Sequence, residues 1–304
     1  MSTLKTALVI LVFFSSCLLF SSETKTIAFA QDTLANDFRK AQVYEVRDAI
    51  AKHKNLKFLY SDANGRTALL ISQIQKFIDL KVNLLIIGTN DADAIVPVVS
   101  KAYKSSIPVI ILDRGITGDD YTTFINSDNI KIGKIGAEFI AKQLRGKGRV
   151  LLFEGLQQAD VTKLRSKGFL DEISKHQGIH VIKRTGNYLR KDSIIEMERL
   201  IKENIRIDAI FAESDSMLSG ARTAMQRHNL DYSSMITVGC DYTSEAREAI
   251  RQMKQTASVK FPLGGKQSVD LAIKILANEE VPKHIYIPVE LVTKENLEDV
   301  EPIF

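Results

Sequence analysis

Short apolar runs alternate with amphipathic stretches along most of this chain. Ten runs are rich in β-branched residues: TIAFA, LKFLYS, LLIIG, PVIILD, YTTFI, RVLLFEG, HVIKR, DAIFAES, MITVG and ASVKF. Between most of them apolar residues recur at helical spacing, as Leu70, Ile74 and Phe77 do within residues 66–80. Nearly continuous apolar strands that alternate with helices predict parallel sheets covered by helices on both faces. Ten strands are many for one such sheet, so the pattern predicts two sheets in two lobes.

The break between the lobes is predicted after the stretch YTTFINSDN, where Ser127 or Asp128 can cap the next helix. Gly133 and Gly136 lie within that predicted helix and permit close packing against a neighbour. Near the end of the chain, PKHIYIPVELVTKEN reads as extended chain rather than as a further helix. A chain that crosses between the lobes more than once accounts for a strand so late in the sequence.

The N-terminal segment differs from the rest of the chain. One lysine precedes an apolar run over residues 7–20, and two serines follow it. This order is typical of a secretory signal peptide, here residues 1–22. We therefore expect an exported protein, in the periplasm or at the outer face of the cytoplasmic membrane. An uncleaved anchor and lipid attachment at Cys17 remain alternatives.

Composition excludes few classes of protein but changes the picture in two ways. The 304 residues are 45% hydrophobic and 26% charged, which is enough for a substantial core. The net charge is only +4 and no long basic run occurs, so nucleic acid is not predicted as a partner. Outside the leader the single cysteine is Cys240, so no internal disulfide is expected and the core must supply the stability.

No constellation of reacting groups is recognisable. The five histidines are scattered, and no H-E-x-x-H zinc motif occurs, since His176 and His180 are four positions apart but no glutamate lies between them. The stretch GGKQS at 264–268 lacks the earlier glycine of a phosphate-binding loop, and no G-x-S-x-G elbow is present. Carboxylates at strand ends resemble glycosidase pairs, but the acid–base partner is missing. We expect a protein that is not an enzyme and uses no metal or cofactor.

Polar side chains follow several of the apolar runs, at the point where each strand ends. In open parallel sheets, ligands bind outside the carboxyl ends of the strands. The polar residues at these ends are Gln31, Asp32, Ser61, Asp62, Thr89, Asn90, Asp91, Asp113, Arg114, Glu213, Ser214, Asp215, Asp241 and Tyr242. For Asp62, Asp91 and Asp215, a role in a turn or helix cap competes with a role in binding.

Arg114 is the informative member of this set, because arginine neither forms turns nor caps helices. It follows Asp113 directly after the apolar run PVIIL. The guanidinium group offers a rigid fork of donors that suits vicinal hydroxyls or a carboxylate. The strand is therefore predicted to deliver an acceptor and a donor to a cleft that binds a polar small molecule.

Five segments together resemble the periplasmic sugar-binding proteins of the ribose- and galactose-binding family, the type I periplasmic binding proteins. They are, in chain order, TIAFAQDTLANDF, PVIILDRG, INSDNIKIGKIGAEFIAKQL, DAIFAESDSMLSGARTAM and ITVGCDYT. The resemblance implies an α/β fold of two Rossmann-like lobes joined by a three-segment hinge. Residues 24–127 and 261–289 then form the N-terminal lobe, and residues 128–260 and 290–304 form the C-terminal lobe. It further implies a sugar enclosed between the lobes.

The resemblance also assigns roles to individual residues. It implies that the Asn36 amide binds a sugar hydroxyl and that the Phe38 ring stacks on the sugar. Asp113 and Arg114 are implied as a pair that binds hydroxyls. The second lobe is implied to contribute an aromatic ring, Tyr188, and a carboxylate, Asp241.

Four positions depart from the pattern of the ribose-binding members. Arg39 stands in place of a second phenylalanine, Lys163 in place of an arginine, Ser214 in place of an asparagine and Phe261 in place of a glutamine. Binding at these positions is still expected, but specificity for ribose is not implied. Arg39 and Lys163, together with Lys260, favour an acidic or phosphorylated ligand if they face the cleft. If they point to solvent, they carry no such implication.

Three functions use this fold. A solute receptor gives its sugar, sugar acid or related polyol to the membrane permease of an ABC-type importer. A sensory receptor presents its ligand-bound form to a membrane histidine kinase or chemoreceptor, and this is the alternative. A sugar-responsive repressor requires an N-terminal helix-turn-helix of roughly 50–60 residues, where this chain has the leader. The first function is the prediction.

Overall fold

The computed structural model describes residues 24–304, so the predicted signal peptide and Cys17 lie outside the described residues. The strands are β1 (Lys25–Gln31), β2 (Leu56–Asp62), β3 (Leu84–Gly88), β4 (Val109–Leu112), β5 (Thr123–Ser127), β6 (Lys147–Glu154), β7 (Gly178–Thr185), β8 (Ala209–Ala212), β9 (Ile236–Asp241), β10 (Ala257–Lys260), β11 (His284–Ile287) and β12 (Glu290–Thr293). The helices are α1 (Asp37–Ile50), α2 (Thr67–Asp79), α3 (Val96–Lys104), α4 (Asn129–Gln143), α5 (Asp160–Ile173), α6 (Arg190–Lys202), α7 (Asp215–Arg227), α8 (Ser244–Arg251) and α9 (Gly265–Leu276). Over this part of the chain, no helix combines the length and the apolar character that crossing a bilayer requires.

Two six-stranded sheets form two α/β lobes, which confirms the predicted fold class. The first sheet has the order β11-β5-β4-β3-β1-β2, and the second has the order β12-β10-β9-β8-β6-β7. All ten apolar runs recognised in the sequence coincide with β1 to β10. We call the lobe built on the first sheet the first lobe and the other the second lobe.

Alternation along β1 shows why helices cover both faces of a sheet. Ile27 and Phe29 pack with α1 and α9 on one face, whereas Ala28 and Ala30 pack with α2 and α3 on the other. All four side chains are fully buried. A strand that is apolar at consecutive positions can be stable only between two helical layers.

The chain passes between the two sheets three times. It leaves β5 for α4, returns between β10 and α9, and crosses again between β11 and β12. The strand pairing is parallel except between β10 and β12. That antiparallel pair departs from the all-parallel prediction. Only two residues separate β11 from β12, too few for the crossover that would turn β12 parallel to its neighbour.

Two glycines allow α4 and α5 to pack backbone against backbone. A Cβ atom on Gly133 would lie 2.0 Å from the carbonyl oxygen of Arg165, and one on Gly168 would lie 2.0 Å from that of Ile130. Asp128 caps α4 by accepting a hydrogen bond from the Lys131 amide, as the sequence suggested for Ser127 or Asp128. The close approach fixes the first turns of α5, which face the other lobe.

Candidate functional site

A small cavity lies between the lobes at the carboxyl ends of the strands, with about 280 Å³ of space not filled by protein atoms, open solvent at its mouth included. Its lining residues come from both lobes and from the β10–α9 crossing. They are Asn36, Phe38, Arg39, Asp113, Arg114, Val161, Arg165, Tyr188, Ser214, Asp241 and Phe261. Nine of the ten residues named from the sequence are thus brought together at this one place.

Lys163 is the one residue of that set that does not line the cavity, because its side chain is exposed on α5. Residues turn by about 100° per position in a helix, so a residue two positions along points to nearly the opposite side. Val161 and Arg165 are four positions apart, share one face of α5 and line the cavity instead. The sequence signal for Arg165 is its position four residues after Val161, which places the two side chains on the same face of α5.

The first lobe contributes a buried cluster of two arginines and two aspartates. Arg114 Nη1 donates to Asp32 Oδ2 at 3.0 Å, and Arg39 Nη2 lies 2.7 Å from Asp113 Oδ2. Each of the four residues is at most 6% exposed. Asp113 adopts the left-handed backbone region (φ 70°), which directs it and Arg114 away from the strand axis. The apolar strand β4 is thus followed by two charged side chains that line the cavity.

Three polar atoms of cavity-lining residues have no hydrogen-bond partner among residues 24–304. They are Asp113 Oδ1, Arg114 Nε and Arg39 Nη2, whose N–H groups are not directed at the nearby Asp113 oxygen. Buried polar atoms are normally paired, because an unpaired one loses its hydration without compensation. The residues that line the cavity therefore carry one acceptor and two donors that no protein group satisfies.

Aromatic rings form the apolar part of the wall. Phe38 stacks on Phe261 with ring centroids 4.9 Å apart and an interplanar angle of 10°. The Arg165 guanidinium carbon lies 4.5 Å from the Phe261 ring centroid, and that of Arg114 lies 5.4 Å from the Tyr188 centroid. Phe38 and Phe261 contact each other, so each presents an edge or one face to the cavity rather than a gap between the rings.

Among the remaining predicted residues, Asn36 and Ser214 make hydrogen bonds within the protein. Asn36 caps α1 by accepting from the Arg39 amide, and its Nδ2 donates to the carbonyl of Tyr188 at 2.8 Å. The Ser214 hydroxyl accepts from the Met217 amide and caps α7. Asp241 ends β9, and burial together with the neighbouring Asp215 carboxylate raises its pKa well above the usual range.

Hydrogen bonds across the cleft hold the two lobes together around the cavity. Besides the bond from Asn36 to Tyr188, Arg190 Nη2 on the second lobe lies 3.1 Å from Asp37 Oδ2 on the first. The Gly115 amide donates to Asp160 Oδ2 at 2.8 Å. The described structure is therefore a closed arrangement of the lobes.

The positive charges of Arg39 and Lys260, the two further residues that suggested an acidic ligand, are balanced by nearby carboxylates. Arg39 is paired with Asp113, as described, and Lys260 Nζ lies 3.8 Å from Glu290 Oε1.

Asp62 and Asp91 accept hydrogen bonds from nearby backbone amides, including those of Asn64 and Ala94, and so form turns. For these two aspartates the turn explanation suffices.

A second buried carboxylate cluster lies behind Tyr188. Ser166 Oγ lies 2.8 Å from both Glu154 Oε1 and Glu213 Oε1 and can donate its one hydrogen to either, and the Gly155 amide donates to Glu213 Oε2. The Tyr188 hydroxyl reaches Glu213 Oε2 at 3.4 Å. Burial raises the pKa of Glu213 to about 7, although these hydrogen bonds oppose the rise.

This raised pKa predicts a pH dependence of stability. Between the ordinary pKa and about 7 the folded state binds more protons at Glu213 than the unfolded state does. The contribution of Glu213 to the free energy of unfolding is therefore fully present below the ordinary pKa and is lost as pH rises through 7. The loss is about 3 kcal/mol at most. In denaturant titrations from pH 5 to pH 8, Glu213→Gln should flatten this decline, and parallel curves for wild type and variant would contradict the assignment.

Comparison with known proteins agrees with this arrangement. The family model described as "Periplasmic binding protein domain" matches residues 27–280. The ribose import binding protein of Bacillus subtilis is 30% identical over 271 residues, which is 88% of this chain and 87% of that protein.

Two solved structures are similar at 28% identity. One is an ABC transporter solute-binding protein from Bacillus halodurans with bound myo-inositol, with a TM-score of 0.86 over 92% of this chain and 98% of that one. The other is the fructose-binding periplasmic domain of a hybrid two-component system, with a TM-score of 0.84 over 90% and 92%. The family match, the relative and the closed two-lobe architecture agree, and the chain belongs to the periplasmic binding protein family.

Proposed function

We propose that this protein is an exported solute-binding protein that encloses a neutral sugar or related polyol between its lobes and delivers it to an ABC-type importer. No bond of the ligand is made or broken. The observation that carries the proposal is the cavity between the lobes, whose lining residues carry an unpaired carboxylate oxygen and unpaired guanidinium nitrogens.

Hydroxyl groups satisfy these atoms better than other ligand groups do. A hydroxyl donates one hydrogen bond and accepts others, so it can donate to Asp113 Oδ1 while it accepts from Arg114 Nε. Two adjacent hydroxyls extend the match to Arg39 Nη2. A vicinal diol is the arrangement that pairs all three atoms.

The pairing of charges in the first lobe favours a neutral ligand. Arg39 and Arg114 already lie beside Asp113 and Asp32, within a cluster that is almost completely buried. An anionic ligand would compete with these carboxylates for the same guanidinium groups, and a buried charge left without a partner is costly. The aromatic edges of Phe38 and Tyr188 suit the C–H faces of a sugar ring.

The cavity is narrow in this closed arrangement, since the 280 Å³ counts open solvent as well as the space between the lobes. A compact ligand is therefore expected, and a monosaccharide or cyclitol combines small size with many hydroxyls.

Ligand binding is coupled to closure in this proposal. The lobes are residues 24–127 with 261–289 and residues 128–260 with 290–304, a division that the sheet membership of β11 and β12 supports. A ligand that contacts both lobes stabilises the closed state, because it makes those contacts only there. The closed form then presents a joined surface to the permease.

A sensory role is the second candidate. It is favoured by the similarity to the fructose-binding periplasmic domain of a hybrid two-component system. The same cavity and closure serve both roles, and the partner that recognises the closed form distinguishes them. An adjoining gene for permease subunits supports import, whereas one for a histidine kinase supports sensing.

A thermal-shift screen of the protein without residues 1–22 tests the proposal. The panel contains pentoses, hexoses, cyclitols, sugar acids and sugar phosphates. A molecule that binds only the folded state raises the melting temperature with the logarithm of its saturation. We expect the largest shift with a neutral compound. A shift with acidic compounds alone would overturn the neutral class, and silence across the panel would overturn the sugar and polyol assignment.

A further inference from the structure

Asp215 is buried, but unlike Asp62 and Asp91 it does not form a local turn. Its neighbour Ser214, not Asp215 itself, caps α7. Asp215 Oδ2 instead accepts from the Tyr242 amide at 2.7 Å, from the Ser258 hydroxyl at 2.8 Å and from the Thr243 amide at 3.3 Å. Oδ1 accepts from Gln255 Nε2 at 2.8 Å. All four donors come from residues 242–258 and surround the end of β9.

The turn that receives these bonds has an unfavourable backbone. Asp241 and Tyr242 are consecutive non-glycine residues with positive φ, 102° and 63°. Such conformations persist only where the surroundings hold them in place, and they cluster at binding sites. The turn sends the Asp241 side chain into the cavity, while the Tyr242 side chain is fully buried on the other side.

Gly239 makes room for the carboxylate. A Cβ atom on Gly239 would lie 1.9 Å from Asp215 Oδ1, so any larger residue in this strand would displace it. The Asp215 side chain is thus seated against β9, two residues before Asp241. The N-terminal position of Asp215 on α7 further favours a negative charge there.

We propose that Asp215 is a positioning residue for ligand binding, which holds the strained Asp241–Tyr242 turn so that the Asp241 carboxyl group faces the cavity. This rests on the proposed function, since Asp241 matters only if the cavity binds a ligand. Asp215 itself does not line the cavity. Loss of its acceptor atoms releases the amides of Tyr242 and Thr243 and lets the turn relax toward ordinary backbone angles.

Asp215→Asn separates positioning from a general contribution to stability. The asparagine keeps the size of the side chain but replaces one acceptor oxygen by an amide group that faces donors. The buried donors that face the new amide group lose their acceptor, which destabilises the folded state. We therefore expect a lower melting temperature together with weaker binding, and faster exchange confined to the Asp241–Tyr242 turn.

Two measurements test the proposal. The first is hydrogen exchange, read by mass spectrometry, of peptides that cover residues 236–244. Asp215→Asn should speed exchange at Tyr242 and Thr243 at least tenfold, and the matched control Asp208→Asn, outside the cavity on a different set of bonds, should not. The second is the affinity for D-ribose, D-fructose and myo-inositol, which should fall at least tenfold for whichever of them stabilises the wild type.

Gly239→Ala provides an independent variant, because it displaces the carboxylate without changing its chemistry, and it should reproduce both effects. Unchanged exchange at Tyr242 and Thr243 in Asp215→Asn would overturn the positioning role. Exchange that rises equally across the second lobe would also overturn it, since that is the behaviour of a merely structural residue. If none of the three compounds binds the wild type, the ligand class fails while the exchange measurement still decides the role of Asp215.

Discussion

Replacing Arg114 by alanine is expected to weaken ligand binding about 30-fold or more. Arg114 is 6% exposed, lines the cavity, pairs with Asp32 and has an Nε without a hydrogen-bond partner. Removing one partner of a buried, hydrogen-bonded charge pair costs about 2–5 kcal/mol, and the lower value already corresponds to about 30-fold. The affinity is measured by calorimetry with the compound that gives the largest shift in the thermal screen.

Arg114→Lys and Arg227→Ala complete the experiment. The lysine keeps the charge beside Asp32 but lacks the planar fork, so its loss of affinity should lie between those of wild type and alanine. Arg227 is 59% exposed, pairs with Glu198 and does not line the cavity, so its truncation should leave affinity unchanged. Wild-type affinity in a folded Arg114→Ala protein would remove this cavity as the binding site.

Gly168→Ala should destabilise the second lobe by about 3 kcal/mol, the upper end of the usual cost of overpacking. The new methyl group would lie 2.0 Å from the backbone oxygen of Ile130, which cannot rotate aside as a side chain can. Helices α4 and α5 must therefore move apart. In an open helix the same substitution would be favourable by about 1 kcal/mol, so the sign of the change is itself informative.

Denaturant unfolding measures this change, and Gly118→Ala is the control. At Gly118 the nearest atom to a new Cβ is a Val96 side-chain methyl at 3.2 Å, which can give way. We expect less than about 1 kcal/mol there, as for most substitutions outside a packed core. Equal stabilities of the two variants would show that α4 and α5 adapt, contrary to the close packing described. Since Arg165 lies on α5, Gly168→Ala should also weaken ligand binding.

The fold could be predicted because burial on both faces leaves a strong local pattern. Each of the strands β1 to β10 is an apolar run between polar segments, and parallel pairing places the ends of these runs on one edge. The antiparallel pairing of β12 with β10 could not be predicted from the apolar pattern. It depends on the route of the chain across the hinge, and a four-residue edge strand carries no sign of its direction.

Residues of the site were recognisable where they end strands, and less so where they lie on helices. Asp113, Arg114 and Asp241 follow apolar strands, so their common location follows from the topology alone. Lys163 and Arg165 are two positions apart on α5, and the choice between them depends on how that helix is rotated against α4. The rotation is set by the glycine contacts, which become visible only once the two helices are packed.

The pairing of charges was likewise beyond the sequence. Arg39 suggested an anionic ligand while its partner was unknown, and its neutralisation by Asp113 joins residues 74 positions apart. Asp215 illustrates the reverse case. A residue that could equally be a helix cap or a ligand contact proved to do neither, and its four hydrogen bonds are made to residues 27 to 43 positions away.

The closed arrangement of the lobes also limits how fast a bound molecule can dissociate. Asn36, Asp37 and Gly115 on the first lobe are hydrogen-bonded or ion-paired to the second, and the lining side chains are buried. A molecule inside the cavity can leave only when the lobes separate, so its dissociation rate cannot exceed the rate of opening. Hinge motions of this kind take microseconds to milliseconds when the open state is easily reached. Residence time is thus governed partly by residues such as Arg190 that never touch the bound molecule.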